Sequence, residues 1–240
     1  MTSSRSDTTQ KLQQARLEGR FQEMLEVFQA LAPSQVMSVE ERELFGIAVR
    51  GFIQSSLERW NKVSTAEQQM EDSADEQQRL KAERETIETT ATAVLESSAL
   101  PVVQSQLKLD TDAAHSIFFH TVGGDIHAFL ALVAVGDNKH SHLKTTEDYY
   151  QTAFDHAKNE LHAANPYRLT LALNWSVFLY NGMNHPDKAI QLAKHAFDEA
   201  IQDVDTLGEE DKNKSTRLIQ QIRDNLTRWT SDDPDGDGRA

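Results

Sequence analysis

Proline and glycine are scarce in this sequence, and long stretches of the chain contain no residue that breaks a helix. The 240 residues include five prolines and ten glycines, and no proline lies between Pro33 and Pro101. Apolar residues along these stretches recur three and four positions apart, which is the spacing of one face of a helix. Neither the alternating pattern of β-strands nor a motif repeated at a fixed period is visible. The sequence therefore predicts an all-α fold.

Capping residues and helix breakers predict nine antiparallel helices. Ser38 followed by Glu41 is a capping-box pair, and the helix that it starts runs to about Met70. The next helix is expected over residues 77–100, ending before Pro101, and a polar linker is expected over 137–144. The other boundaries are expected at Gly19, Pro33, Asp112, Gly136, Thr145, His162, Pro166, Pro186 and Gly208. We expect one domain over residues 8–231, between a disordered N-terminus at 1–7 and a disordered acidic tail at 232–240.

The charge balance argues against several classes of partner. Lys and Arg number 24 and Asp and Glu number 38, so the formal net charge is −14. Such a field repels nucleic-acid phosphates and anionic lipid headgroups, so we expect neither nucleic acid nor membrane as a partner. No stretch approaches the ~20 apolar residues that span a bilayer, and the N-terminus lacks an apolar signal core. The sequence thus predicts a cytoplasmic protein, with the nucleus left open.

The residue types needed for most catalytic chemistry are missing or scattered. No cysteine is present, which excludes disulfides, thiolate zinc sites and cysteine nucleophiles. No Gly-rich phosphate loop, serine-nucleophile elbow or His-Glu-x-x-His motif occurs. Several histidines lie close in sequence, but neither cysteine nor a Glu-x-x-His pair accompanies them, so we predict no enzyme activity, no cofactor and no metal site. These histidines are His115, His120, His127, His140 and His142.

Two segments of the C-terminal half, Pro166–Phe178 and Ser215–Ser231, resemble 14-3-3 proteins residue by residue. Between them, His185–Ile201 keeps the spacing of that family. In the N-terminal half, Arg20–Met24 and Val39–Leu44 follow the family pattern more loosely. The resemblance covers nearly the whole chain and implies a concave helical groove that binds proteins or peptides. It also implies an adaptor or scaffold role in signalling, with the chain forming a homodimer or a heterodimer.

The chain departs from the family where phosphate is bound. Family members grip phosphoserine or phosphothreonine with a Lys, two Arg and a Tyr, because a phosphate carries about two negative charges and three acceptor oxygens. An alignment without gaps puts Arg50, Leu57, Ala128 and Phe129 at these positions. If each contact contributes about 1.5–3 kcal/mol, the loss of two Arg lowers affinity by a factor on the order of 10²–10⁴. The resemblance therefore implies weakened or lost phosphate recognition.

The positions with which the family holds the ligand backbone are better kept. Asn174 and Asn225 stand where the family uses Asn side chains for this purpose, although they are also explained if they only tie helices together. Leu173, Val177 and Trp229 stand at groove positions as well. Elsewhere in the groove, Asn181 replaces an expected Glu, and Arg217, Gln221 and Arg228 replace Leu.

The family dimer forms through the first four helices, and its charged contacts are only partly kept. Arg20 and Glu23 keep one side of the ion pairs, but Thr86 and Thr90 stand where their partners belong, and Glu83 replaces a Tyr. Surface ion pairs contribute less than ~1 kcal/mol each, so we expect a weaker dimer and not its loss. The apolar residues expected to bury the interface are Leu12, Leu17, Phe21, Met24 and Ile87.

Three functional hypotheses remain open from these patterns. The first is an adaptor that recognises partner proteins in the groove with little or no use of phosphate. The second is a conventional phosphoserine-binding adaptor. The third is a regulatory subunit that has lost groove recognition and acts by pairing with another 14-3-3 chain, on which Arg20 and Glu23 would meet charged partners.

Overall fold

The computed structural model describes residues 2–31, 35–70, 73–109 and 111–231, with side chains from Asp7 onward. Across these ranges the chain forms nine helices and no strand, so the predicted all-α fold is confirmed. The helices divide into unit 1, Met1–Asp110, and unit 2, Thr111–Ala240. The single domain expected over residues 8–231 stays a prediction, and the acidic tail at 232–240 lies outside the described residues.

Unit 1 contains four helices. The first two are α1, Thr2–Leu17, and α2, Phe21–Leu31. The third, α3, spans Val39–Gln69 and begins with the predicted capping box, in which Ser38 Oγ accepts from the Glu41 backbone and Glu41 Oε2 accepts from the Ser38 backbone. The fourth, α4, covers residues 74–106 and joins Ala74–Val94, a π-helical turn at Leu95–Ala99 and Leu100–Gln106.

Unit 2 contains five helices. They are α5, Ala113–Val133; α6, Gly136–Glu160; α7, residues 166–182; α8, Pro186–Asp203; and α9, Glu209–Ser231. Helix α7 consists of Pro166–Val177 and a π-helical turn at Phe178–Gly182. The predicted starts after Asp112, Asn165 and His185 are confirmed, and Pro166 and Pro186 occupy first-turn positions, where a missing N–H costs little.

Three boundaries differ from the expected ones. Helix α1 begins at Thr2, so the polar residues expected to precede it form its first turns. Helix α4 continues past Pro101, because the π-helical turn comes directly before this proline, which then starts a new α-helical segment. The stretch 137–144 is not a linker but the first part of α6, and nearly all of its polar side chains face solvent. Its polarity therefore marks an exposed helix face.

The core of unit 1 forms where α2 and α4 pack on α3 and on each other. Phe28 of α2 and Phe45 of α3 are fully buried, and their rings meet edge to face with centroids 5.4 Å apart. Farther along α3, Val63 packs against Leu80 and Ile87 of α4. Burial of such side chains contributes about 1.5–3 kcal/mol each and fixes the helix faces that turn inward.

In unit 2, α5 is the most apolar helix and lies at the centre of the core. Ile117, Phe119, Ile126 and Leu130 are at most 1% exposed. By length and composition α5 is apolar enough to cross a membrane, but 61% of its most apolar window is buried against other helices, as in the core helix of a globular unit. A second cluster, built around Ile222, joins α7, α8 and α9.

Candidate peptide-binding site

A hydrogen-bond network around Asp125 joins three helices of unit 2. The Asp125 carboxylate on α5 accepts a hydrogen bond of 2.7 Å from the Tyr150 hydroxyl on α6. The Asn174 amide on α7 donates to both carboxylate oxygens, at 2.9 and 3.0 Å. Burial raises the pKa of Tyr150 well above 10.0, and the charge and hydrogen bond of Asp125 act in the same direction. The network therefore holds a neutral tyrosine against a carboxylate.

This network decides which part of the Asn174 side chain remains for a ligand. The NH₂ group is directed to Asp125, so the carbonyl oxygen of the amide is the group left to form further contacts. Asn174 is half-buried, and a carbonyl oxygen there accepts hydrogen bonds from backbone N–H groups. The arrangement suits contact with an extended peptide backbone, and it also ties α7 to α5, as the alternative explanation of Asn174 requires.

Sequence reasoning missed Asp125 and Tyr150 as supports of Asn174. A signal was present, because Asp125 is the only Asp, Glu, Lys or Arg in the otherwise apolar α5. A lone carboxylate on a core helix needs hydrogen-bond donors from neighbouring helices. The identity of these donors follows from the packing of α5 on α6 and α7, which the sequence pattern does not give.

The other backbone-holding positions lie on α7 and α9. Asn225 is half-buried, and no side-chain hydrogen bond to it is present in the described part of unit 2. Trp229 is only 4% exposed, and its ring stacks on Tyr180 with centroids 4.6 Å apart and an interplanar angle of 11°. Most of the Trp229 surface therefore contacts the core. Leu173 and Val177 are partly buried against the same cluster.

The polar replacements in the expected apolar wall are all at the surface. Asn181 is exposed in the π-helical turn of α7. Arg217, Gln221 and Arg228 are exposed on α9, where their spacing of four and seven residues puts them on one face. In the same helix, Ile222 and Trp229 turn into the core. This face of α9 is polar where the family resemblance leads one to expect leucine.

The four positions expected to bind phosphate are divided between the units, with two in each. On α3, Arg50 is exposed and Leu57 is half-buried. On α5, Ala128 is half-buried and Phe129 is 4% exposed. Phe129 has no hydroxyl, and its ring is part of the core. Only Arg50 among the four carries a donor group.

His127, which precedes Ala128, does not replace the missing charge. Its ring stacks on Tyr149 of α6, and its Nδ1 lies 3.0 Å from Nδ1 of His142. Burial, together with charge repulsion from His142, lowers the pKa of His127 to about 4. This imidazole is therefore neutral at pH 7.

The residues expected at the dimer interface fall into three groups. Leu12, Met24 and Ile87 are at most 5% exposed inside unit 1, so the core of one copy already contains them, and their role at a dimer interface stays a prediction. Leu17 is 80% exposed, and Phe21 is half-buried against Gly51. The remaining residues are exposed and polar: Arg20, Glu23, Glu83, Thr86 and Thr90.

Several polar candidates at this interface form contacts within their own unit. Arg20 forms ion pairs with Glu18 and Glu23. Thr86 donates its hydroxyl to the Ala82 carbonyl at 2.8 Å. Pairing of Arg20 with another chain would therefore replace contacts that it already has.

As for metals, no group of three or more His, Asp or Glu side chains in the described ranges is arranged to hold an ion.

Comparison with known proteins gives one consistent result. Residues 11–230 match the family model of the 14-3-3 protein. The chain is 38% identical over 242 residues to the 14-3-3 protein beta/alpha of Rattus norvegicus, a match that covers all of this chain and 98% of the relative. It is 41% identical over 197 residues to the 14-3-3-like protein 2 of Caenorhabditis elegans, which covers 82% of this chain and 79% of the relative. Protein BMH2 of Saccharomyces cerevisiae is 39% identical over 237 residues, with 97% of this chain and 86% of the relative covered.

Proposed function

This chain belongs to the 14-3-3 family of non-enzymatic adaptors, and from that premise we propose that it binds partner proteins mainly through their backbone, with phosphate contributing little. The ligand is an extended protein segment held in the groove that the family uses. The chain acts in the cytoplasm and forms a weak dimer. No cofactor takes part in this function.

The observation that carries the proposal is the orientation of Asn174. Its NH₂ group is fixed on Asp125, which itself accepts from Tyr150, so the free carbonyl oxygen has a defined position. A preorganised acceptor binds a backbone N–H without a further entropic cost for ordering the side chain. Asn225, half-buried on α9, is available as a second group for the same backbone.

The loss of phosphate recognition is supported by the side chains at the four family positions. Leu57, Ala128 and Phe129 offer no donor, and Arg50 offers one positively charged group. A phosphate held by one Arg lacks the bidentate pairs that make such contacts strong. The neutral His127 adds no charge at pH 7.

The test compares a labelled Arg-Ser-x-pSer-x-Pro peptide with its unphosphorylated form by fluorescence anisotropy at two salt concentrations. We expect similar affinities for the two forms, because the lost donors account for a factor on the order of 10²–10⁴. Asn174→Ala is expected to weaken both forms equally. The variant Ala128→Arg adds one of the lost donors at a half-buried position of unit 2 and is expected to favour the phosphorylated form about tenfold or more.

Micromolar binding of the phosphorylated peptide alone by the unmodified protein would establish the conventional adaptor function and refute the proposal. Equal binding of both peptides that Asn174→Ala leaves unchanged would refute the role of Asn174. A matched control is Asn159→Ala, since Asn159 is exposed on α6, outside the groove positions, and is not joined to the Asp125 network.

A regulatory subunit is the second candidate function, and the exposed Leu17 favours it. This side chain is 80% exposed at the end of α1, in the region with which the family forms dimers. Pairing with another 14-3-3 chain would cover it. Co-purification of differently tagged chains tests this function, and a heterodimer that binds no peptide through the present chain would support it over groove recognition.

A further inference from the structure

Four histidines and one tyrosine form a continuous row of rings between α5 and α6, which we call the histidine row. Their order is His142, His127, Tyr149, His120 and His156. Successive ring centroids lie 5.3, 5.6, 5.9 and 5.9 Å apart. Histidines at one helix–helix contact are candidate ligands for transition metals, and neither the fold nor the proposed peptide site explains their presence there.

The two ends of the row differ in what their ring nitrogens contact. At one end, His120 Nδ1 lies 2.8 Å from the Ser116 carbonyl oxygen, and both His120 and His156 place Nδ1 3.3 Å from the Ser116 hydroxyl. A carbonyl oxygen only accepts, so Nδ1 of His120 carries a proton and has no lone pair for a metal. At the other end, Nδ1 of His127 and Nδ1 of His142 face each other at 3.0 Å.

We propose that His127 and His142 bind a divalent transition-metal cation through their Nδ1 atoms. Two nitrogens at ~2.0 Å from one metal are ~2.8 Å apart at a right angle and ~3.3 Å apart at a tetrahedral angle. The separation of 3.0 Å is closer to the right angle, which is the ligand arrangement of Cu(II) and Ni(II). One Nδ1 carries a proton in this contact, and when the cation binds, that ring changes to the tautomer protonated at Nε2, so both Nδ1 lone pairs are available to the metal.

The surroundings of the pair favour a bound cation. Tyr149 stacks on His127 with an interplanar angle of 21° and restricts its ring. The net charge of −14 raises the local concentration of cations.

The same observations indicate which metal binds most tightly and how strong the binding is. In the described ranges the protein supplies no cluster of three or more ligands, so water completes the coordination and the affinity is modest. Imidazole ligands bind divalent metals in the order Zn(II) and Ni(II) below Cu(II). The sequence contains no cysteine that would compete for copper. The sequence alone predicted no metal site. It could not reveal the pairing of His127 with His142, because this pairing depends on how α5 packs against α6.

The experiment is a titration of the full chain with Cu(II) by calorimetry, followed by electron paramagnetic resonance of the 1:1 sample. We expect one site with two nitrogen ligands, and at least a tenfold loss of affinity in each of His127→Gln and His142→Gln. His140→Gln is the matched control, because His140 is an exposed histidine on α6, the helix that also carries His142. It is expected to bind as the unmodified protein does.

Circular dichroism melting of each variant without metal verifies that it is folded. The electron paramagnetic resonance spectrum of the unmodified protein with Cu(II) tests the proposal without any substitution. A spectrum that shows fewer than two nitrogen ligands on the copper overturns the proposal. Equal affinities in His127→Gln, His142→Gln and the unmodified protein overturn it as well. So does a loss of binding in His140→Gln as large as in the other two.

Discussion

Asp125 is the only charged residue of α5 other than histidine, and α6 and α7 each supply one of its hydrogen-bond donors. A carboxylate on a core helix is destabilising unless donors surround it, because burial favours the neutral form of the group. Removal of one donor is therefore more costly than the net contribution of an ordinary hydrogen bond. Tyr150 and Asn174 are positions where a small chemical change has a large effect.

Tyr150→Phe is expected to destabilise the protein at neutral pH by about 1.5–3 kcal/mol, the range for a hydrogen bond to a charged group. The substitution is also expected to change how the stability of the protein depends on pH in alkaline solution. The pKa of Tyr150 is raised above 10.0 in the folded protein, mainly by burial, so above pH 10 the unfolded chain binds fewer protons than the folded one and stability falls. The variant lacks this contribution, and its urea midpoint should decline less steeply above pH 10. An unchanged alkaline slope would contradict the assignment to Tyr150.

His127→Gln is expected to make the protein less sensitive to mild acid. The pKa of His127 falls from 6.5 to about 4 on folding, chiefly through burial. The unfolded chain takes up a proton that the folded chain does not, so the contribution is present above pH 6.5 and is lost as the pH falls towards 4. Urea midpoints measured between these limits, with a chelator present, should fall less steeply for the variant. The exposed His140→Gln is the control, and an identical fall in both variants would argue against His127 as the source.

Single residues also show how far sequence reasoning about the site reaches. Asn174 was named from the family resemblance, but its orientation depends on Asp125 and Tyr150, which are 49 and 24 positions away in the chain. Trp229 was named as a groove residue, but it is only 4% exposed and its ring is stacked on Tyr180 in the core. The sequence indicates which residues belong to the candidate site. The direction of each side chain, in contrast, depends on contacts with helices that are distant in the sequence.

At the level of the helix, Gly124 shows why the contact of α5 with α6 is so close. A Cβ atom at this position would lie 2.5 Å from the Tyr150 ring. Alanine favours a helix over glycine by about 1 kcal/mol, but the overlap costs about 1–3 kcal/mol and involves a buried ring. We therefore expect Gly124→Ala to lower the free energy of unfolding, as measured by urea denaturation.

Gly208→Ala is the matched control for this substitution. A Cβ atom on Gly208 would meet nothing within 4 Å, so the variant causes no overlap and is expected to cost only the few tenths of a kcal/mol by which Ala is the poorer residue before the first turn of α9. Equal stabilities of Gly124→Ala and the unmodified protein would mean that Tyr150 moves aside at no cost.

The helices themselves were largely predictable, because caps and breakers act locally. Ser38, Asp112, Pro166 and Pro186 mark boundaries that the structure confirms. The continuation through Pro101 was not predictable from local rules, since it depends on a π-helical turn that removes the usual conflict with the preceding turn. The polar residues 137–144 were predicted to form a linker for a different reason. An exposed helix face can have the same polar composition as a loop.

For the molecule as a whole, the charge of −14 bears on how two copies would associate. Like-charged copies repel each other at long range, and salt screens this repulsion over about 10 Å at 0.1 M. With the family's ion pairs reduced at Thr86 and Thr90, we expect the dimer to strengthen between about 20 and 200 mM NaCl. Analytical ultracentrifugation measures the association constant at each salt concentration. A dimer that weakens as salt is added would indicate that ion pairs between the chains dominate.

Leu17→Glu adds a charge to the most exposed apolar residue of the N-terminal helices and is expected to weaken this dimer. Val135→Glu is the control, because Val135 is 83% exposed and lies in unit 2, against 80% for Leu17 in unit 1. An equal effect of both variants would point to total charge and not to the surface around Leu17.

The adjacent glycines of α5 and the adjacent tyrosines of α6 have a consequence for the connection between these helices. Gly123 faces Tyr149 and Gly124 faces Tyr150, so the two pairs fit in one register only. A shift of α6 by one residue would bring a tyrosine ring onto a residue with a side chain and would take the Tyr150 hydroxyl away from Asp125. The alignment of the helices is thus determined within the helices themselves. The short connection at Ala134 and Val135 is therefore free to change in length without changing which residues meet.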